Sequence, residues 1–375
     1  QLLRNNTVEK QQKVQLDAEG NGEVLFDIRP MEVGRFAWEI QIPVSNSDIV
    51  PSNNYYPVVV KVVRDEVRVL QVSGSPSYDQ KFLRLLLKED PSIDLISFFI
   101  LRTHADFSAG WETDELSLIA FPYERLFTEE LQSFDLVVFQ NFDHAPFFTY
   151  QSEELLGNIA EYIQNGGAFI MIGGDRSFDL GEYHNTPLGE VLPIRLGTQE
   201  KSSEQRFLPR LTPAGETHPI TQLIRSSDEN RELWTNLPEM DGFNRNFGLV
   251  QGAASLLEHP SDRTEDGQTI PILSVREVGL GRTMALNVDS SWRWSYSEGI
   301  EGEGNQAYLR FWKNSIRWLI ADPEDRSIII QPSKENTTQS EEMNILLRSR
   351  NTSYQPQKNT EISVLLRSPS GQKFE

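Results

Sequence analysis

Five apolar residues in a row, Ala168-Phe169-Ile170-Met171-Ile172, stand between Gly166-Gly167 and Gly173-Gly174. A strand with water on one face alternates apolar and polar residues. An unbroken apolar run therefore belongs to a strand covered on both faces, the usual condition of a parallel sheet wrapped by crossover helices. Parallel neighbours cannot be joined by hairpins, so helices must alternate with strands around this one. The sequence supplies them. Val67 to Val72 reads as a buried strand, followed by the turn Ser73-Gly74-Ser75-Pro76 and a helical stripe of Phe82, Leu83, Leu86 and Leu87. Ile93 to Leu101 and Leu136 to Phe139 are further strands. Leu155, Leu156, Ile159 and Ile163 form a stripe that Asn165-Gly166-Gly167 ends with a left-handed cap. Ile272 to Val278 and Arg282 to Val288 join across Gly279-Leu280-Gly281 as a hairpin at one side of the sheet, and Tyr308, Phe311, Trp312, Ile316 and Leu319 mark a last amphipathic helix.

On either side of this block the period is two. Val24, Phe26 and Ile28 share one face, as do Phe36, Trp38, Ile40 and Ile42, and Tyr55 to Val63 closes the block with a β-branched run. From Asp322 the pattern returns in Ile328 to Ile330, then Met343, Ile345 and Leu347, then Ile362, Val364 and Leu366. The expected organisation is a β-sandwich (Ig-like) segment over 1–64, an α/β domain over 65–322, and the start of a second β-sandwich (Ig-like) domain over 323–375. A length of 375 residues gives room for two or three domains.

Charge and composition exclude several function classes. The 35 Lys and Arg against 55 Asp and Glu leave a net charge of -20, a field that repels phosphate backbones and anionic lipid, so nucleic acid is not an expected partner. The absence of cysteine removes disulfides, thiolate zinc sites, iron-sulfur clusters and every thiol nucleophile. The longest nearly uncharged apolar runs fall far short of the ~20 residues of a membrane helix. Opening at Gln1 and closing at Glu375 soon after a strand-like stretch, the sequence reads as a piece of something longer, with any anchor outside it.

Ligands of an open parallel sheet bind beyond the carboxyl ends of the strands, where loops and helix N-termini present N-H groups. That rule nominates Ser73 and Gly74 after the first strand, and Gln140, Asn141 and Asp143 after the third. It adds Gly173, Gly174, Asp175, Arg176 and Ser177 after the fourth, and Asp289, Ser290, Trp292 and Arg293 after the last. Each also has a structural role to weigh. The paired glycines suit tight turns and close helix approach. Asp175 suits a helix cap or an Arg partner, and Trp294 packs beneath the final helix. Trp292 is placed to border the cleft and, with Arg293, to bind an anionic or planar group. The segment at 173–177 lacks the G-x-S-x-G spacing, the G-x-G-x-x-G spacing and the Lys of a phosphate loop. The five histidines, His104, His144, His184, His218 and His259, include no helical metal pair. No metal and no cofactor are expected.

Several motifs recur in order across residues 66 to 321. They are Val69-Leu70-Gln71-Val72-Ser73-Gly74 before Tyr78 and Phe82-Leu83-Arg84, Gly166 to Gly174 with Ser177-Phe178, Thr186-Pro187-Leu188 with Leu192-Pro193, Gly281-Arg282-Thr283, and Trp292-Arg293-Trp294. Together they resemble the glutamine amidotransferase-like domain family of bacterial envelope proteins, often found beside von Willebrand factor A and Ig-like domains. The resemblance implies a flavodoxin-like, three-layer class I amidotransferase fold. It also implies a membrane-associated parent facing the periplasm or exterior, whose partners are other domains or envelope proteins, with a small polar or anionic ligand as the alternative. Class I amidotransferases carry a Cys on the elbow after the central strand, with a His and Glu after a later strand. The corresponding positions here are Gly173-Gly174-Asp175 and Asp289-Ser290. The expected function is therefore non-catalytic interaction or ligand sensing; the alternative is a hydrolase using Asp175, Ser177 or Asp289. Asp175, Asp289, Trp292 and Arg293 are expected to face one another across the cleft.

Overall fold

The computed structural model describes residues 1–4, 7–18, 21–28, 34–44, 48, 50, 53–62, 66–99, 121–197, 202–296, 305–321, 328–332, 344–349, 354, 366–367 and 373–374. The chain divides into two compact units, one of Glu66–Gln357 and one of Gln1–Asp65 with Lys358–Glu375. Residues 323–357 thus group with the α/β unit, and only the segment from Lys358 groups with the N-terminal strands.

The larger unit is built on an eight-stranded sheet. Its strands are β1 (Val67–Ser73), β2 (Ile93–Phe99), β3 (Leu136–Gln140), β4 (Ala168–Ile172), β5 (Arg210–Leu211), β6 (Ala253–Arg263), β7 (Thr269–Val278) and β8 (Gly281–Leu286), in the spatial order β5-β6-β7-β8-β4-β3-β1-β2. The five strands from β8 to β2 run parallel, and β7, β6 and β5 extend the sheet antiparallel beyond β8. The parallel block has the doubly wound order of flavodoxin, with β8 in the place of the fifth strand. Its strands lack alternation because both faces are covered. Ile170 and Ile172 enter one core with Leu83 and Leu87 of helix α1 (Tyr78–Glu89) and with Phe311 and Trp312. Phe169 and Met171 enter the other with Leu155, Leu156 and Ile159 of helix α2 (Ser152–Gln164). Helix α3 (Gln306–Leu319) carries Phe311 and Trp312, and the indole of Trp318 donates to the Tyr354 hydroxyl at 2.7 Å. The large mixed sheet fits the expected α/β class.

The strands expected in the α/β block are present with small changes at their ends. β1 and β3 each run one residue further, so Ser73 and Gln140 sit in the ladder as register partners and not in the following loops. The stretch 100–120 and His104 lie outside the described residues. Features not expected include the long strand β6, whose alternation is obscured by Pro260 and a run of polar residues, helix Ser227–Asn236, and the antiparallel pair Ser202–Phe207 with Met240–Asn244.

In the smaller unit four strands form an antiparallel sheet in the order Thr7–Lys10, Leu2–Arg4, Gly34–Gln41, Tyr55–Val62. Trp38 is buried there and its indole donates to Glu9 Oε2 at 2.9 Å. Val24 to Ile28, expected as a strand, is in none: alternation fixes which side chains share a face, but a strand also needs a partner for its backbone groups. The described residues give this sheet and the two-residue ladder of Leu366–Arg367 with Lys373–Phe374, and not the two facing sheets of an Ig-like sandwich. Ile328–Pro332 pairs antiparallel with Ile345–Ser349 within the larger unit, while Met343, Ile362 and Val364 lie outside the described residues. Among the described residues no helix is long and apolar enough to cross a membrane.

Candidate functional site

The turn after β4 is the elbow position, and its polar groups are bonded to the protein itself. Gly173 N donates to Leu286 O at 2.8 Å, which ties the end of β4 to the end of β8. The side-chain amide of Asn244 grips Gly174 from both sides, accepting from its N at 2.8 Å and donating to its O at 3.0 Å. Arg176 N donates to Asn141 Oδ1 at 2.7 Å. Ser177 is buried; its hydroxyl donates to Ile172 O at 2.6 Å and accepts from Asn141 N at 3.1 Å. A serine whose proton is held by a backbone carbonyl and which meets no base is a structural staple, which corrects the expectation that Ser177 is a candidate nucleophile. The packing requires glycine. Gly174 has φ +138, and a Cβ on it would lie 2.6 Å from Asn141 Cγ, while one on Gly74 would lie 2.5 Å from Asn141 O. Asp175 and Arg176 are exposed at the tip.

The loop after β8 starts on the same edge, because β4 and β8 are parallel with Ile172 opposite Leu286. Asp289 and Asp175 are close enough to interact: burial raises the Asp289 carboxyl above its ordinary range, and the charges of Asp175 and Asp241 add to the rise. Ser290 Oγ accepts from Asp241 N at 3.0 Å. Arg293 does not face Asp289 as a free cation; its Nη1 donates to Asp241 Oδ2 at 2.8 Å, and Arg206 also pairs with Asp241 at 2.7 Å. Trp292 turns towards α1 and packs on Tyr78 and Phe82, with ring centroids 5.1 and 6.0 Å away. Of the four residues expected to converge, Asp175 and Asp289 interact, while Arg293 and Trp292 each meet another element. Trp294 is buried against Trp234 and Phe311, as the packing role for it requires.

A second set of polar side chains belongs to the ends of β1 and β3 and to the start of α1, and sequence reasoning missed its acid, Asp79. Ser73 and Gln140 are register partners; counting in twos from Val69 and Val138, both face the core that holds α1 and α3. A relay leads to them: Ser97 Oγ donates to Gln71 Oε1 at 3.0 Å, and Gln71 Nε2 donates to Gln140 Oε1 at 3.3 Å. At its end Gln140 Nε2 and Ser73 Oγ are buried without a partner. Asp79 stands four and eight residues before Leu83 and Leu87, on the stripe by which α1 packs on the sheet. It is fully buried. One oxygen, Oδ1, accepts from Ser291 Oγ at 2.6 Å and from Trp292 N at 2.7 Å; the other, Oδ2, has no partner. Burial pushes this carboxyl up to about 7, against the hydrogen bonds from Ser291 and Trp292 that favour its ionised form, and the Asp289 charge raises it further. The Tyr308 hydroxyl on α3 is raised by burial and by Asp79 in turn. The sequence signal was available: an acid on an apolar helical stripe, just after a strand end. Among the described residues no group of three or more His, Asp or Glu is arranged to hold a metal ion.

Residues 119–321 match the family model described as "Putative glutamine amidotransferase". No curated protein matches the chain. Similar solved structures include Cytoplasmic Protein STM3548 from Salmonella typhimurium and Cytoplasmic Protein STM1381 from Salmonella typhimurium LT2. Each is 20% identical with a TM-score of 0.46, over 68% of this chain and 99% of the other. A β-galactosidase from Rahnella sp. R3 is 13% identical with a TM-score of 0.38, over 77% of this chain and 36% of that one. With more than half its length matched in one run that includes the elbow, the loop after β8 and α3, the chain belongs to this glutamine amidotransferase-like family.

Proposed function

We propose that this chain is a binding module of glutamine amidotransferase-like fold, serving ligand sensing or protein interaction, without thiol-dependent glutamine hydrolysis. The elbow carries the reading. With no cysteine in the chain, the elbow tip is the exposed Asp175, and the N-H groups of Gly173, Gly174 and Arg176, of the kind that would stabilise an oxyanion, are already held by Leu286, Asn244 and Asn141. A fold does not bring its activity with it when the site is rebuilt in this way. Incubation of the full chain with glutamine is expected to release no more ammonia than a heat-denatured control; release above that level would end the proposal.

The resemblance to envelope proteins supports placing the module on the periplasmic or outer face of a bacterial membrane, within a larger membrane-associated protein. Protease treatment of intact cells tests this: cleavage of the module without lysis is expected, and full protection contradicts it. One observation favours a second reading, a hydrolase using Asp175 and Asp289, namely the raised Asp289 carboxyl beside Asp175. Hydrolysis of a model ester or glycoside that disappears in Asp289→Asn would establish that reading.

A further inference from the structure

We propose that the crevice between the ends of β1 and β3 is a binding site for a small organic cation, a primary amine carrying a neighbouring hydroxyl or carbonyl oxygen, held by Asp79, Ser73 and Gln140. The inference rests on the reading of this chain as a binding module and names its site and ligand class.

Topology selects the place. In the order β8-β4-β3-β1-β2 the connection leaving β1 packs α1 on one face and the connection leaving β3 packs α2 on the other. The crevice between those two strand ends is where an open α/β sheet accepts a ligand. Unsatisfied buried groups occur at several places among the described residues, and three of them belong to these strand ends and to α1. Ser73, Asp79 and Gln140 are each 0% exposed, and each has a polar atom with no partner. Buried polar atoms are ordinarily bonded; Ser73 and Gln140 are register partners at the ends of β1 and β3, Asp79 stands on the stripe of α1 that packs on the same face, and the three together call for a guest that supplies the bonds.

Their chemistry selects the class. The relay from Ser97 through Gln71 ends on an N-H of Gln140 that must donate, so the guest presents an oxygen. Asp79 Oδ2 is an acceptor once ionised, so the guest presents a donor there. Charge decides between a neutral and a cationic donor. Asp79 faces Asp289 from the loop after β8 and Tyr308 from α3, and no cation is among the groups that shift it. The guanidinium nearest on that loop, Arg293, is held by Asp241. An ammonium group would supply the missing countercharge; an anion would meet Asp79 and Asp289. The rim suits a cation as well, since Tyr78 and Tyr296, each about two-thirds exposed, flank Trp292.

Calorimetric titration of the full chain with ethanolamine tests the site, with acetate as the anionic control. Saturable binding of ethanolamine and none of acetate is expected. Binding should release a proton, because the incoming cation favours the ionised Asp79; the measured heat should therefore depend on the ionisation enthalpy of the buffer at pH 7, and affinity should rise with pH through 7. Asp79→Asn should weaken binding by at least about tenfold, and Ser73→Ala, which preserves the fold if Asp79→Asn does not, by severalfold. Absence of saturable binding, equal binding of acetate, or a buffer-independent heat overturns the proposal, as does a crystal structure in ethanolamine with only water between Ser73 and Asp79. Ethanolamine binding that survives both substitutions overturns this site and leaves the binding-module reading standing. Ammonia release from glutamine would instead sink that reading.

Discussion

The elbow after β4 and the crevice between β1 and β3 lie on the same edge of one sheet, and they treat their polar groups in opposite ways. At the elbow, Asn244, Asn141 and Ser177 bond the turn from three directions. At the crevice, Ser73, Gln140 and Asp79 each keep an atom unpartnered. A reactive centre needs its donors and lone pairs available for a substrate, so the elbow, the place where this fold would put a nucleophile, is the less suited of the two for chemistry or binding. The position of a motif in a fold says where a site was possible; the hydrogen-bond inventory says which site is still open.

The largest test of the contrast is at Asp79. Its folded value of about 7 lies above the ordinary 3.8, so the stability it contributes is fully present below about pH 4 and is lost as pH rises through 7. That difference is worth roughly 4 kcal/mol. In the same range His218, held at about 3 by burial and by Arg282, changes stability in the other sense, so the useful quantity is the difference between wild type and Asp79→Asn. Denaturant unfolding at several pH values should show wild type losing ground to Asp79→Asn between pH 4 and 8; parallel curves would mean that the carboxyl is satisfied after all.

The closed character of the elbow is tested next by Gly174→Ala. With φ +138 and Asn141 directly behind it, the added methyl should destabilise the chain by about 3 kcal/mol, and a loss below about 1 would show that the turn has room for a reacting group. Ser177→Ala removes a donor to Ile172 O and an acceptor for Asn141 N, and should lower stability by about 2 kcal/mol in the same unfolding measurement. The smallest effect is expected at the exposed tip, where Asp175→Asn should change stability by less than about 0.5 kcal/mol while the Asp289 carboxyl, followed by NMR titration, moves downward. An unmoved Asp289 would place the two carboxylates too far apart to share a site.

Much of this frame was legible in the sequence because buried parallel strands and amphipathic helices leave strong local signals. Ala168–Ile172 and the stripe from Tyr308 to Leu319 were readable from period alone. The rule of strand ends also reached Ser73, Gly74, Asn141 and the 173–177 turn. What it did not reach was partnership. Nothing local in the sequence says that Arg293 is held by Asp241, or that Ser177 is stapled to Ile172 and Asn141. Asp79 was passed over for a different reason: its place on the apolar stripe was legible, but it also follows a helix start, where an acid suits the N-terminal partial charge, and the packing of α1 against Ser291 and Trp292 is what removes it from water. Strand β6 was obscured because an antiparallel extension with Pro260 and several polar residues lacks both the apolar run and clean alternation.

The most direct measurement of the account is a carbon-13 NMR titration of the Asp79 side-chain carboxyl in the ligand-free chain. An uncompensated carboxyl at the crevice predicts a single transition near pH 7 that moves to lower pH when ethanolamine is added. A transition below about pH 5, unmoved by the amine, would show that the crevice already satisfies its own charge and would contradict the contrast between the elbow and the crevice.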